Sequence, residues 1–203
     1  MARHLDGDNA LLNAWVGEMV AIITDQALAH WRAGTTIYCG WVKVKNGDVF
    51  EGISVIRSGL TAFRAIGAEM WIPQFIAFLA AAYQIAGEAA EALTLLEDAL
   101  KVVERTGERW FAAELNRLKG ELLLHWEHSE AAEELYRKAL SIAKQQEAKL
   151  WELRAATSLA RLWYDQGKRA EARDLLAPVY DWFSAGFDTP ALKEAKALLE
   201  DLV

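Results

Sequence analysis

The chain has 203 residues, 53% of them hydrophobic and 25% charged, with 3 prolines. That suffices for one packed domain and argues against long disordered stretches. A formal net charge of −7, with no run of Lys and Arg to offset it, repels phosphate backbones, so nucleic acid is not expected as a partner. The single cysteine, Cys39, has no internal disulfide partner and reads as a small core residue.

Shifted against itself by 40 residues, the sequence repeats. Gly7, Gly47, Gly87 and Gly167 share a column in which Glu127 is the exception. Small residues recur at Gly52, Ala92, Ala132 and Ala172, and larger ones at Ile56, Leu96, Tyr136 and Leu176. Gly59, Ala99, Ala139 and Val179 follow. Small at one position, apolar four later and small seven later puts all three on one helical face, where a second helix can approach closely. The recurrent glycine supplies the positive φ that ends one helix and turns the chain. Each unit is therefore two antiparallel helices. No strand pattern competes.

In chain order the first predicted helix covers 8–26 and falls in the second-helix phase of a repeat that lacks its first helix. It is apolar on most sides, whereas a terminal repeat needs a polar outer face. A homodimer joined through Leu12, Trp15, Met19 and Ile23 is the simplest closed solution. Predicted helices 29–46 and 49–66 make the first full repeat, with Trp31, Gly40 and Trp41 on the first of them. The next repeat, 69–106, opens with an uncharged stretch from Met70 to Gly87. Pro73, Gln74, Tyr83 and Gln84 interrupt it, and its sister copies are charged, so a buried helix is expected there and not a membrane span. Repeats 109–146 and 149–184 follow. A capping helix over 190–202 begins at Thr189-Pro190, with Lys193, Glu194, Lys196, Glu200 and Asp201 outward and Leu192, Ala195 and Leu199 inward. The whole chain, 1–203, reads as one repeat domain of about ten helices. Tryptophans 31, 71 and 151 share a column and read as core packing between helices. Trp15, Trp110, Trp126 and Trp182 have no column partner, and at least one of them is expected to be partly exposed.

The small–large–small pattern, with Gly or Ala at 40, 80, 120 and 160, resembles the tetratricopeptide repeat, whose usual unit is shorter. The resemblance implies an all-α, right-handed superhelical solenoid of helical hairpins. The stretches GAEMWIPQFIAFLAAAYQIAGEAAEALTLLEDAL (67–100), GERWFAAELNRLKGELLL (107–124) and the segment 152–202 look similar to the C-terminal repeat region of large bacterial predicted ATPases. Many of those carry a class III adenylate or guanylate cyclase domain. The resemblance implies a helical tail that senses or binds something and restrains the NTPase. No GxxxxGK[ST] loop or cyclase metal segment is found in this sequence, so the chain is not read as an enzyme and no cofactor is expected.

Tetratricopeptide stacks usually bind along the concave face, lined by the first helix of each unit. With 40, 80, 120 and 160 as reference, that face should carry Trp41, Gln74, Gln84, Glu114, Arg117, Glu121, Arg154, Arg161 and Tyr164. A mixed-charge groove with aromatic anchors, suited to a protein or peptide, is one reading. Ion pairs between neighbouring helices on a solvated surface are the other, and both stand at this stage. Chaperone-binding relatives hold a terminal carboxylate with Lys and Asn; Ile37, Trp41, Ala77 and Ala81 stand at the matching places, so that clamp is absent. His125 and His128, three apart with Glu127 and Glu130 nearby, fix no third ligand, and no metal is expected. A small-molecule sensor with a pocket inside the superhelix is the alternative function; an enzyme using groove carboxylates is a third. A soluble, cytoplasmic location is expected.

Overall fold

A computed structural model describes residues 9–23 and 29–202. Ten helices account for 81% of the described residues, and none of these lies in a strand. They are α1 (Asn9–Ile23), α2 (Ala29–Lys45), α3 (Val49–Ala65), α4 (Ile72–Ile85), α5 (Ala89–Thr106), α6 (Ala112–His125), α7 (Ser129–Gln145), α8 (Lys149–Asp165), α9 (Arg169–Tyr180) and α10 (Pro190–Asp201). The chain divides into two compact units. Gly7–Glu108 holds α1 to α5, and the part from Arg109 onward holds α6 to α10.

The turns follow the 40-residue register. Gly47, Gly87 and Gly167 have φ of 102°, 84° and 79°; Gly7 lies outside the described residues. Glu127, where the glycine column breaks, takes φ 64° all the same. Its amide donates to the Leu124 carbonyl at 2.9 Å, and the His128 amide to that of Leu123 at 3.0 Å. The same two bonds recur at Gly167 and Lys168, donating to Tyr164 and Trp163. This pair of bonds caps the orphan carbonyls of the preceding helix and needs a left-handed residue between them. Position thus dictates the conformation, and a glutamate there bears a strain of about 1–2 kcal/mol.

Within Gly7–Glu108, small residues set the distance between α2 and α3. A Cβ on Gly52 would stand 2.4 Å from Val44 Cγ2 and 2.7 Å from the Gly40 carbonyl oxygen. One on Gly59 would meet Ile37 at 2.6 Å. In the second unit a Cβ on Gly120 would fall 2.7 Å from the Tyr136 ring. The columns of Gly and Ala are therefore crossing points where backbones touch, with Ile56, Leu96, Tyr136 and Leu176 filling the space beside them. The uncharged stretch from Met70 is mostly the buried helix α4, all of it buried from Ile72 to Ala80. Among the described residues no helix is long and apolar enough to cross a membrane.

Several expectations need correction. Helix α9 stops at Tyr180, short of 184; Pro178 removes one of its donors, and the chain then turns through Gly186 at φ 80°. Helix α4 starts only at Ile72, because Trp71 sits left-handed at φ 68° with its amide held by the Glu108 carboxylate at 2.7 Å. Trp31 is 43% exposed and not core. It heads its column, with the rings of His30 and Trp71 beside it at 5.8 Å, whereas Trp151 is buried against Phe111. Of the tryptophans without column partners, Trp126 and Trp182 are exposed.

At the N-terminal edge, Leu12 and Val16 are buried and not displayed. Trp15 packs edge-on against Tyr38 at 5.1 Å. Side-chain bonds from Asn9 to the Lys45 carbonyl and between Asn13 and Asn46 tie α1 to the end of α2. Met19 is half-buried, and the side chain of Ile23 lies outside those described. The apolar surface that α1 leaves open is formed by Leu11, Val20 and Ile22.

Candidate functional site

Two columns of the register decide the chemistry of the first-helix face. One reads Gly34, Gln74, Glu114, Arg154, Glu194; the other Trp41, Ala81, Glu121, Arg161, Asp201. Within the second unit, each alternates acid, base, acid from α6 through α8 to α10.

The alternation closes into a charge network on Glu114, which is 1% exposed. Its carboxylate accepts a fork from Arg117, Nε at 2.9 Å and Nη2 at 2.8 Å. It accepts a second fork from Arg154 on the next first helix, Nε at 3.1 Å and Nη2 at 2.8 Å. Arg117 also donates through Nη1 to Glu121 and, at 3.3 Å, to Ser158. Bidentate guanidinium–carboxylate bonds are strong and fix geometry. Burial pulls the Arg117 guanidinium down, but the Glu114 and Glu121 carboxylates outweigh it and hold it above the ordinary range. Burial pushes Arg154 down to about 10 against the pull of Glu194, so it still carries its charge at neutral pH. Glu121 is pushed up by burial, with the Glu114 and Glu194 charges assisting and Arg117 opposing. Its side chain is 38% exposed, and water moderates that shift.

The predicted face therefore separates by depth. Glu114, Arg117 and Arg154 form a fixed inner layer that joins α6 to α8. Glu121, Ser158, Arg161 and Tyr164 form the accessible rim. Arg161 is 40% exposed and lies 3.9 Å from Asp201 of α10; Arg169 covers the Tyr164 ring at 5.0 Å. Ser158, Glu194 and Asp201 were not predicted as part of the face, although the two columns place both acids in register with Arg154 and Arg161.

The matching face of Gly7–Glu108 is apolar. Trp41, expected as an open anchor, is 2% exposed and stacks on Phe78 with centroids 5.2 Å apart. Gln74 is buried too, beside Tyr38, whose phenol burial pushes up to about 12 with Gln74 opposing. Gln84 is exposed at the end of α4. Neither Trp41 nor Gln74 reaches solvent to meet a ligand: both are buried, Trp41 against the Phe78 ring.

Residues 74–145 match the model of one tetratricopeptide repeat family, and residues 153–181 that of another. These two segments are similar to tetratricopeptide repeats. Solved structures of low identity share the fold. BtubC from P. vanneervenii is 16% identical, with a TM-score of 0.67 over 96% of this chain and 87% of that one. A Podospora anserina protein described as kinesin light chain with nearly identical TPR-like repeats is 20% identical, at 0.65 over 88% and 87%. The apo form of RapI is 13% identical, at 0.67 over 94% of this chain and 53% of that one. Among curated proteins, an uncharacterized protein of Rhizobium meliloti (strain 1021) is 27% identical over 127 residues. That alignment takes in 62% of this chain but 12% of the relative's length.

Proposed function

We propose that this chain is a non-catalytic protein-interaction scaffold that holds a peptide or protein on the concave face of its repeats. The observation that carries the reading is the layered strip of the second unit. The Glu114–Arg117–Arg154 layer is tied by two forked ion pairs, with Glu121 offsetting its one excess positive charge, and above it Arg161, Glu121 and the edge of the Arg169-covered Tyr164 ring stand at the solvent edge. Repeats of this kind serve widely as binding surfaces, and a preorganised floor lowers the entropy a partner must lose. As the sequence resemblance implies, the chain acts as a regulatory module of a signalling ATPase or cyclase system. The far greater length of the Rhizobium relative accords with such a modular setting.

Selection from a displayed random-peptide library tests the binding reading. Enriched peptides should lose affinity for Arg161→Glu by about tenfold, with stability within about 0.5 kcal/mol of the parent. No enrichment, or binders indifferent to Arg161→Glu, would sink it.

Self-association at the N-terminal edge is the second part of the reading, now moved to the open side of α1. Leu11 and Ile22 are exposed on one flank of this short helix and Val20 on the other, and an isologous pairing through the Leu11–Ile22 flank would cover that flank with itself. Light scattering coupled to size exclusion should give a dimer mass that falls to the monomer in Leu11→Glu/Ile22→Glu. A monomer at high concentration in the parent chain overturns it.

A further inference from the structure

A groove lies on the other side of the second unit, away from the first-helix strip. It runs between the second helices α7 and α9, with α8 beneath, and holds about 350 Å³. Leu140, Leu159 and Leu175 make its floor and Trp163 one wall. The early end of α9 opens it. At the 40-residue offset Tyr180 matches Leu140, so the counterparts of Ser141, Lys144 and Gln145 fall beyond α9. On the α9 side, the last turn of α7 therefore has no helix alongside among the described residues.

Its charge is unlike that of the rest of the chain. The protein as a whole carries −7, yet the charged residues lining this groove are Arg137 and Lys144, and no carboxylate lines it. Arg137 is braced over the Trp163 ring at 5.1 Å and bonded to Glu133 at 2.8 Å. Lys144 has no ion-pair partner among the described residues. The two cations stand seven residues apart on one helix, two turns or roughly 10 Å along its axis, with the leucine floor between them.

We infer that this groove docks an acidic amphipathic helix of a partner protein. Such a helix would lie along α7, with acidic side chains two turns apart meeting Arg137 and Lys144 and an aliphatic side chain between them seated on Leu140, Leu159 and Leu175. Helix-in-groove recognition reads anchors at this spacing. The apolar floor supplies affinity, and the two cations select sign and direct encounter. The volume has room for more than one aliphatic side chain and lies in the range of binding clefts.

The test uses fluorescence anisotropy with two labelled, end-blocked helical peptides. One carries Glu at i and i+7 with Leu at i+3 and i+4; the other has Lys in place of both Glu residues. The full chain should bind the Glu peptide saturably, and the Lys peptide about tenfold more weakly or worse. Added salt should weaken the Glu complex. Lys144→Glu and Ser141→Trp alter exposed side chains, one reversing the rim charge and one filling the groove, and each should weaken the Glu peptide about tenfold with unchanged circular dichroism. Arg161→Glu, on the opposite face, should leave it unaffected. Equal binding of the two peptides, indifference to both groove variants, or no saturable binding overturns the inference. So does self-association of the chain that Lys144→Glu abolishes, since a second copy would then be the occupant.

Discussion

Replacing Glu114 by alanine should destabilise the chain by about 3–5 kcal/mol, the cost of removing one partner from a buried ion cluster. The reason is the double fork. Arg117 and Arg154 both direct two donors at this one carboxylate, and both guanidinium groups are largely out of water. Without Glu114, Arg154 loses the two bonds of its fork, and Arg117 loses its own fork and keeps Glu121 and Ser158. Urea unfolding followed by circular dichroism would read the loss as a lower midpoint. Glu114→Gln should recover little, since a neutral amide accepts through one oxygen and presents donors to the other guanidinium nitrogens. A triple replacement, Glu114→Leu with Arg117→Leu and Arg154→Met, should restore much of the stability, because removing a whole buried ionic cluster is often close to neutral. A single variant as stable as the parent would show that the network joins nothing.

Gly52→Ala should also destabilise strongly, by about 1–3 kcal/mol, against the usual gain of about 1 kcal/mol for alanine over glycine inside a helix. Two effects of opposite sign compete. The added methyl would lie 2.4 Å from Val44 Cγ2 and 2.7 Å from the Gly40 carbonyl oxygen. The valine could turn away, but the carbonyl belongs to the facing helix and moves only if α2 and α3 part. Overlap therefore prevails. Gly17, in α1, supplies the control: nothing lies within 4 Å of a Cβ built there, so Gly17→Ala should stabilise by up to about 1 kcal/mol. Opposite shifts of the urea midpoint are the expected pair, and shifts of the same sign would contradict the packing argument.

The register made the fold legible before any coordinates, because a crossing point tolerates only small residues and a left-handed turn favours glycine. Glu127 shows the strength of that signal: it reads as the exception to the column, yet its backbone is left-handed all the same. Depth was less legible. Trp41 and Glu114 both fall on the predicted first-helix face, yet that face includes residues that reach water and residues covered by the adjacent helix. Periodicity assigns direction and does not measure cover. The exposure of Trp31 escaped for a related reason, since a column of aromatics says nothing of how far each member is covered. Arg154 and Arg161 were visible as a seven-residue pair, while their dependence on Glu114, Glu194 and Asp201 needed the columns to be read across repeats and for charge as well as for size. The groove beside α7 could not be read at all: it exists because α9 stops at Tyr180, and the end of a helix is among the features a single sequence specifies least sharply.

The acid–base–acid order of the first-helix columns fixes the sequence in which the repeats can follow one another. Geometry alone would let a 40-residue unit be cut out or copied, because every unit has the same turn and the same small-residue crossings. Loss of residues 129–168 would bring α6 against α10, setting Glu114 opposite Glu194 and Glu121 opposite Asp201, like charges in both rows. Copying that segment would likewise set Arg154 against a second arginine. Among the charged repeats of the second unit, length can change at low cost only by steps of two, so their number carries a parity written in charge, whereas the uncharged Gly34, Gln74, Trp41 and Ala81 impose no such rule on the first.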